Sequence, residues 1–117
     1  MKATIYHNPQ CSNSRGALER LQARNVDLEI IDYLSTPPDA ETLRALIADA
    51  GLAPIDAIRA KEPEFEALGL GDADSETLIQ AMASHPRLLN RPFVRTDMGT
   101  RLCRPPERVE EILPAAT

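Results

Sequence analysis

The chain has 117 residues, 43% of them hydrophobic, enough to bury one core and too few for two of ordinary size. Its four aromatic residues include no Trp, and its formal net charge is -5, which argues against base-stacking nucleic-acid binding, non-specific DNA contact and an anionic membrane surface. Two cysteines, Cys11 and Cys103, exclude a disulfide-rich scaffold, and no apolar run approaches the ~18 residues of a transmembrane helix.

Lys2 to Tyr6 reads as a short strand with Ala3 and Ile5 on one face, broken by Asn8-Pro9. Ser12 to about Arg24 reads as a helix whose apolar stripe is Ala17, Leu18 and Leu21. Asp27 to Asp32 is a second strand, with Leu28, Ile30 and Ile31. Strand, helix and strand make a βαβ unit, whose crossover implies parallel strands and a right-handed connection. After Thr36-Pro37-Pro38, Asp39 can cap a helix running to Ala50, with Leu43, Leu46 and Ile47 inward and Gly51 at the stop. Pro54 and Pro63 each suit the first turn of a short helix, and Gly69 and Gly71 punctuate the chain. Ser75 can cap a helix from Glu76 to His85, ended by Pro86, with Leu78, Ile79 and Met82 inward. Pro92 to Thr96 reads as strand, Asp97-Met98-Gly99-Thr100 as a turn using Gly99 at positive φ, and Arg101 to Cys103 as the returning strand. Pro106 to Leu113 closes as a helix with Val109, Ile112 and Leu113 apolar. The order β-α-β, helical block, β-β-α predicts one α/β domain over residues 1–117. The expected fold is thioredoxin-like: a four-stranded mixed sheet with an all-helical insertion at about 39–86.

The opening residues are too polar, and too soon broken by Pro9, for a signal peptide, so the expected compartment is the cytoplasm, where thiols stay reduced. Cys11 falls between the first strand and the first helix. There the helix dipole and unpaired N–H groups favour a thiolate, so it reads as an activated nucleophile rather than an inert small residue. Cys11-Ser12-Asn13-Ser14 lacks the second thiol of a C-x-x-C, and Ala17 stands where a cysteine phosphatase loop needs its arginine. Cys103 reads as a core cysteine, with a resolving thiol as the alternative. His7 either tunes Cys11 or supports its loop, and no metal site is expected. Charge is uneven. Residues 1–86 hold seven basic and fourteen acidic side chains, whereas residues 87–104 hold five arginines against Asp97 alone. That stretch is either a solvated surface or an anion site. In thioredoxin-like folds a cis proline precedes the third strand, beside the active-site cysteine. If Pro92 is that proline, Arg91 comes to the mouth of the Cys11 loop, with Arg104 and Arg59 as further candidates, and an arginine fork suits a tetrahedral oxyanion.

Three ordered motifs carry a resemblance: residues 5–15 (Ile5-Tyr6-His7-Asn8-Pro9-Gln10-Cys11-Ser12-Asn13-Ser14-Arg15), His85-Pro86-Arg87-Leu88-Leu89-Asn90-Arg91-Pro92, and Gly99-Thr100-Arg101-Leu102-Cys103-Arg104-Pro105. Over nearly the whole chain the sequence resembles the glutaredoxin-coupled arsenate reductases of the ArsC type, and is similar to the short members without a longer C-terminal tail. The resemblance implies a catalytic Cys11 and oxyanion-binding Arg59, Arg91 and Arg104, with His7, Ser14 and Pro92 in support. It implies reduction of arsenate to arsenite through a thioarsenate ester on Cys11. Glutathione as co-substrate and glutaredoxin as partner would resolve that ester, with no bound cofactor, metal, nucleic acid or membrane. The alternatives are an Spx-like non-catalytic regulator and a glutathione-linked thiol oxidoreductase with another substrate.

Overall fold

Strand β1 (Lys2–His7) is a central strand, and its composition shows it: Ala3, Ile5, Tyr6 and His7 are all buried, so both faces are covered. The computed structural model describes residues 1–115. β1 pairs in parallel with β2 (Asp27–Asp32) and antiparallel with β3 (Phe93–Thr96), which pairs antiparallel with β4 (Gly99–Leu102). The resulting order, β2-β1-β3-β4, is the four-stranded mixed sheet of the expected thioredoxin-like fold. Helix α1 (Ser12–Ala23) connects β1 to β2 and buries Ala17 and Leu21 completely, while Leu18 packs partly buried against the same core. Ala3, Ile5, Val94, Cys103, Val109 and Ile112 complete most of that core.

β2 is an edge strand, which explains why its apolar residues are less covered than their composition suggests. Ile30 is 49% exposed, and Asp27, Glu29 and Asp32 are exposed beside it. Charges along an open edge discourage pairing with another chain.

The chain divides into two compact units: Met1–Tyr33 with the chain from Arg91 onward, and Leu34–Asn90. The second unit holds α2 (Ala40–Asp49), α3 (Pro54–Ala57), α4 (Pro63–Ala67) and α5 (Ser75–Ser84). α2 packs on α5 through buried Leu43, Leu46 and Ile47 against buried Leu78, Ile79 and Met82, the stripes expected from sequence. The Asp39 carboxylate accepts the Thr42 N–H at 2.8 Å and caps α2, and Pro54 and Pro63 open α3 and α4. No helix among the described residues is long and apolar enough to cross a membrane.

Four local expectations are corrected. Asp74, not Ser75, caps α5: its carboxylate takes the Thr77 N–H at 2.9 Å, and Ser75 becomes the first helical residue. The hairpin turn is Asp97-Met98 alone. Thr96 pairs with Gly99 and Arg95 with Thr100, so those two residues belong to β4, and Gly99 keeps its positive φ of 141° at the strand's first position. β4 ends at Leu102, and Cys103 lies one residue beyond it, donating its N–H to the Pro92 carbonyl at 2.9 Å. The closing segment, Pro106–Ile112, is a 3₁₀ helix. Arg108 N–H donates to Pro105 and Leu113 N–H to Glu110, three residues back, and Pro105 and Pro106 bring no N–H of their own to its first turn.

That segment packs on α1, with Gly16 against Pro106. A Cβ at Gly16 would lie 2.9 Å from Pro106 Cγ, a rigid ring atom. Gly16→Ala should therefore lose about 1 kcal/mol in urea unfolding, because overpacking outweighs the gain in helix propensity. A stabilised variant would show that the helix and the closing segment part easily.

Candidate active site

The β1–α1 loop turns sharply at Asn8, which holds it through four bonds. Its N–H donates to Ser14 Oγ at 3.0 Å, and its carbonyl accepts the Cys11 N–H at 3.0 Å. Its side-chain oxygen accepts the Gln10 N–H at 2.9 Å, and its amide nitrogen donates to the hydroxyl of fully buried Tyr33 at 3.3 Å. Cys11 is thereby fixed as the N-cap of α1, with extended backbone angles of −98° and 123°, and its carbonyl accepts the first helical bond from Arg15.

The Cys11 side chain is buried, the residue being 6% exposed. Burial by itself raises a thiol's pKa. Here it is outweighed by the backbone N–H of Ser14, the Arg91 charge, the N–H of Asn13 and the Arg104 charge, and the net value is lowered. Arg104 NH1 lies 3.8 Å from Cys11 Sγ and also donates to the Arg91 carbonyl at 3.0 Å. The Arg91–Pro92 peptide bond is cis, which meets the condition under which Arg91 comes to the Cys11 loop; Arg104–Pro105 is also cis, which the sequence did not suggest. Thus Cys11, Arg91 and Arg104 come together from the ends of β1, β3 and β4.

The other arginines of the cationic stretch go elsewhere. Arg101 pairs with Glu111 at 3.0 Å, and Arg87 with Glu62 at 3.1 Å. Arg59 belongs to the Leu34–Asn90 unit, where its NH1 lies 2.7 Å from Glu62 Oε1. The cationic run is therefore neither all solvated surface nor all anion site: two of its members face the thiol, and others balance carboxylates.

His7 supports the loop. Its Nδ1 is 2.6 Å from Ser14 Oγ. Burial lowers the His7 pKa; the Asp32 charge opposes that and Arg15 adds to it, and the net is a histidine that favours the neutral form. Ser14 Oγ accepts the Asn8 N–H and also hydrogen-bonds His7 Nδ1, with the direction of the second bond following the imidazole tautomer, so the hydroxyl ties the histidine to the loop. Asn8 and Tyr33 are the members that sequence reasoning passed over. Asn-Pro was legible as a strand breaker, but the partner of Asn8 is 25 residues away.

Cys103 is fully buried, and burial pushes its pKa up to about 12. Its sulfur makes a weak contact with the Arg101 carbonyl at 3.7 Å. It is a core cysteine.

Two titrations test these assignments. In Cys103→Ser protein, thiolate absorbance should report a Cys11 midpoint below the ordinary thiol value of 9.0, and Arg104→Ala should raise it. A midpoint unmoved by Arg104→Ala would show that the cation does not act on the sulfur. The raised Cys103 value predicts that the native state holds a proton that the unfolded chain releases above its ordinary pKa of 9.0. Stability should therefore fall as pH climbs from 9.0 toward about 12, and Cys103→Ser should flatten that fall in denaturant titrations.

Comparison with known proteins shows the family. The ArsC family model matches residues 6–112. An arsenate reductase of Rhizobium meliloti (strain 1021) is 48% identical over 116 residues, covering 97% of this chain and 83% of its own. An arsenate reductase of Escherichia coli (strain K12) is 47% identical over 115 residues, covering 97% and 82%. The solved structure of an arsenate reductase from Vibrio cholerae superposes with a TM-score of 0.91 at 41% identity, covering 97% of this chain and 98% of that one.

Proposed function

The chain belongs to the ArsC family, and on that premise we propose that it is an arsenate reductase working through a covalent intermediate on Cys11. The observation that carries the proposal is Arg104 NH1 at 3.8 Å from a buried, pKa-lowered Cys11 sulfur. A cation fixed that close serves two purposes: it favours the thiolate, and it offers donors to an anion approaching the same sulfur.

In this reading Arg91 and Arg104 neutralise the arsenate oxygens, with Arg59 as the third arginine by family resemblance. The Cys11 thiolate adds to arsenic, and one arsenate oxygen leaves as water, giving a thioarsenate ester. Glutathione then displaces a second arsenate oxygen as water, giving arsenic bonded to both Cys11 and glutathione. A glutaredoxin thiolate attacks the glutathione sulfur, forming a mixed disulfide and leaving the As–S electron pair on arsenic as As(III). Water cleaves the Cys11–As bond to release arsenite and the Cys11 thiol. The chemistry needs no bound cofactor of its own and suits the reducing cytoplasm. Ser14 stands where a local resolving thiol would be, and Cys103, protonated up to about pH 12, is a poor substitute. Both support an external thiol as reductant.

The decisive measurement is arsenate-dependent oxidation of glutathione in the presence of glutaredoxin. It should be saturable in arsenate, abolished by Cys11→Ser and largely retained by Cys103→Ser. Intact-mass analysis after arsenate and glutathione should find the adduct on Cys11. Arg91→Ala and Arg104→Ala should each cost roughly 1.5–3 kcal/mol in kcat/KM, with lysine restoring only part of it because it lacks the planar fork. Glutathione oxidation that ignores arsenate would instead mark a thiol oxidoreductase with another substrate.

A further inference from the structure

Within the Leu34–Asn90 unit, one carboxylate serves two arginines. Glu62 directs Oε1 at Arg59 NH1, 2.7 Å away, and Oε2 at Arg87 NH2, 3.1 Å away. Its side chain is only 12% exposed, against 27% for Arg59 and 65% for Arg87. The most covered member is therefore the shared anion, and the ion pairs are not a solvated decoration. Arg87 reaches a second carboxylate, Glu64, at 3.8 Å, whereas Glu62 is the ion-pair partner shown for Arg59 among the described residues.

The backbone fixes both ends of the Arg59–Glu62 pair. Ile58 bridges Leu89 in antiparallel fashion, flanked by Arg59 N–H to the Leu88 carbonyl at 2.7 Å and Asn90 N–H to the Ala57 carbonyl at 2.8 Å. The backbone of residues 57–59 is thus paired with residues 88–90, Arg59 through its own N–H to Leu88. The turn back is closed by Glu62 N–H to the Arg59 carbonyl at 3.1 Å, and Glu62 then caps α4, with its carbonyl accepting the Phe65 N–H. An arginine on a rigid backbone still has a long, flexible stem, and a carboxylate three residues on, also rigid, removes that freedom before any ligand arrives.

We propose that Glu62 is the positioning residue for Arg59, holding its guanidinium in place for the oxyanion. The proposal rests on the reading of Arg59 as an oxyanion-binding arginine. Donor capacity supports it: Arg59 carries five donors, the ion pair with Glu62 is made through NH1, and Arg87 has Glu64 as a second carboxylate. Glu62 orients the fork without cancelling it.

The test is arsenate kinetics, together with arsenate protection of Cys11 against iodoacetamide, which reads binding without turnover. Glu62→Gln keeps the shape and removes the charge. It should raise KM and the protection constant for arsenate roughly tenfold, with kcat within about twofold. In an Arg59→Ala background the same substitution should shift either constant by less than about twofold, because a residue acting through Arg59 has nothing left to position. Should Glu62→Gln fail to fold, Glu62→Asp, which keeps the charge on a shorter stem, should give an intermediate rise that likewise vanishes in Arg59→Ala. Unchanged constants in Glu62→Gln, or an equal loss with and without Arg59, would overturn the proposal in favour of a purely structural Glu62. Wild-type protein that arsenate neither protects nor drives would instead overturn the oxyanion reading, and the proposal with it.

Discussion

Everything at the candidate site depends on one electrostatic balance: a sulfur taken out of water and yet biased toward its charged form. Burial works against a thiolate, and at Cys11 it is the largest single influence. The opposing influences are distributed. Two backbone N–H groups come from the first turn of α1, and two guanidiniums come from residues that follow β4 and precede β3. None would suffice alone, and they come from three separate pieces of chain, so the sheet must be assembled before the cysteine is activated. Reactivity is here a property of the fold, in that β1 delivers the loop while β3 and β4 deliver the cations.

The contrast between the two cysteines makes the same point. Both are buried, and both have arginine charges acting on them. Arg108 and Arg101 favour the Cys103 thiolate, but no helix N-terminus adds its amides, Glu111 opposes them, and the desolvation is deeper. Two residues of one type thus diverge, one lowered and one pushed up to about 12, through differences of a few ångströms in what surrounds them.

The sequence disclosed whatever is local and periodic. The stripes of α1, α2 and α5 were legible because a buried helix face repeats at fixed spacing. Cys11 was legible because a polar loop between a strand and a helix has a definite chemistry. Legibility failed where two signals compete within a residue or two. Asp74 and Ser75 are both good caps, and only the geometry of the Thr77 amide chooses between them. Gly99 favours a turn by its φ and a strand by its pairing, and it satisfies both. It failed also where partners are distant in sequence, as in the bond from Asn8 to Tyr33 or the sharing of Glu62 between Arg59 and Arg87. A run of five arginines gives no hint of which will face a thiol, because that depends on strand ends meeting in space.

The hydroxyl of Ser14 has a consequence for how the loop can vary. Its oxygen sits 2.6 Å from His7 Nδ1 and 3.0 Å from the Asn8 nitrogen, separations suited to oxygen and too short for sulfur, whose larger radius and weak acceptor strength need more room. A cysteine here would have to push His7 and Asn8 outward, and Asn8 is the residue from which the loop holding Cys11 hangs. The space around residue 14 is thus cut to the size of a first-row atom. A second thiol at position 14 is disfavoured by fit, and a single-thiol loop becomes a feature of packing as well as of spelling.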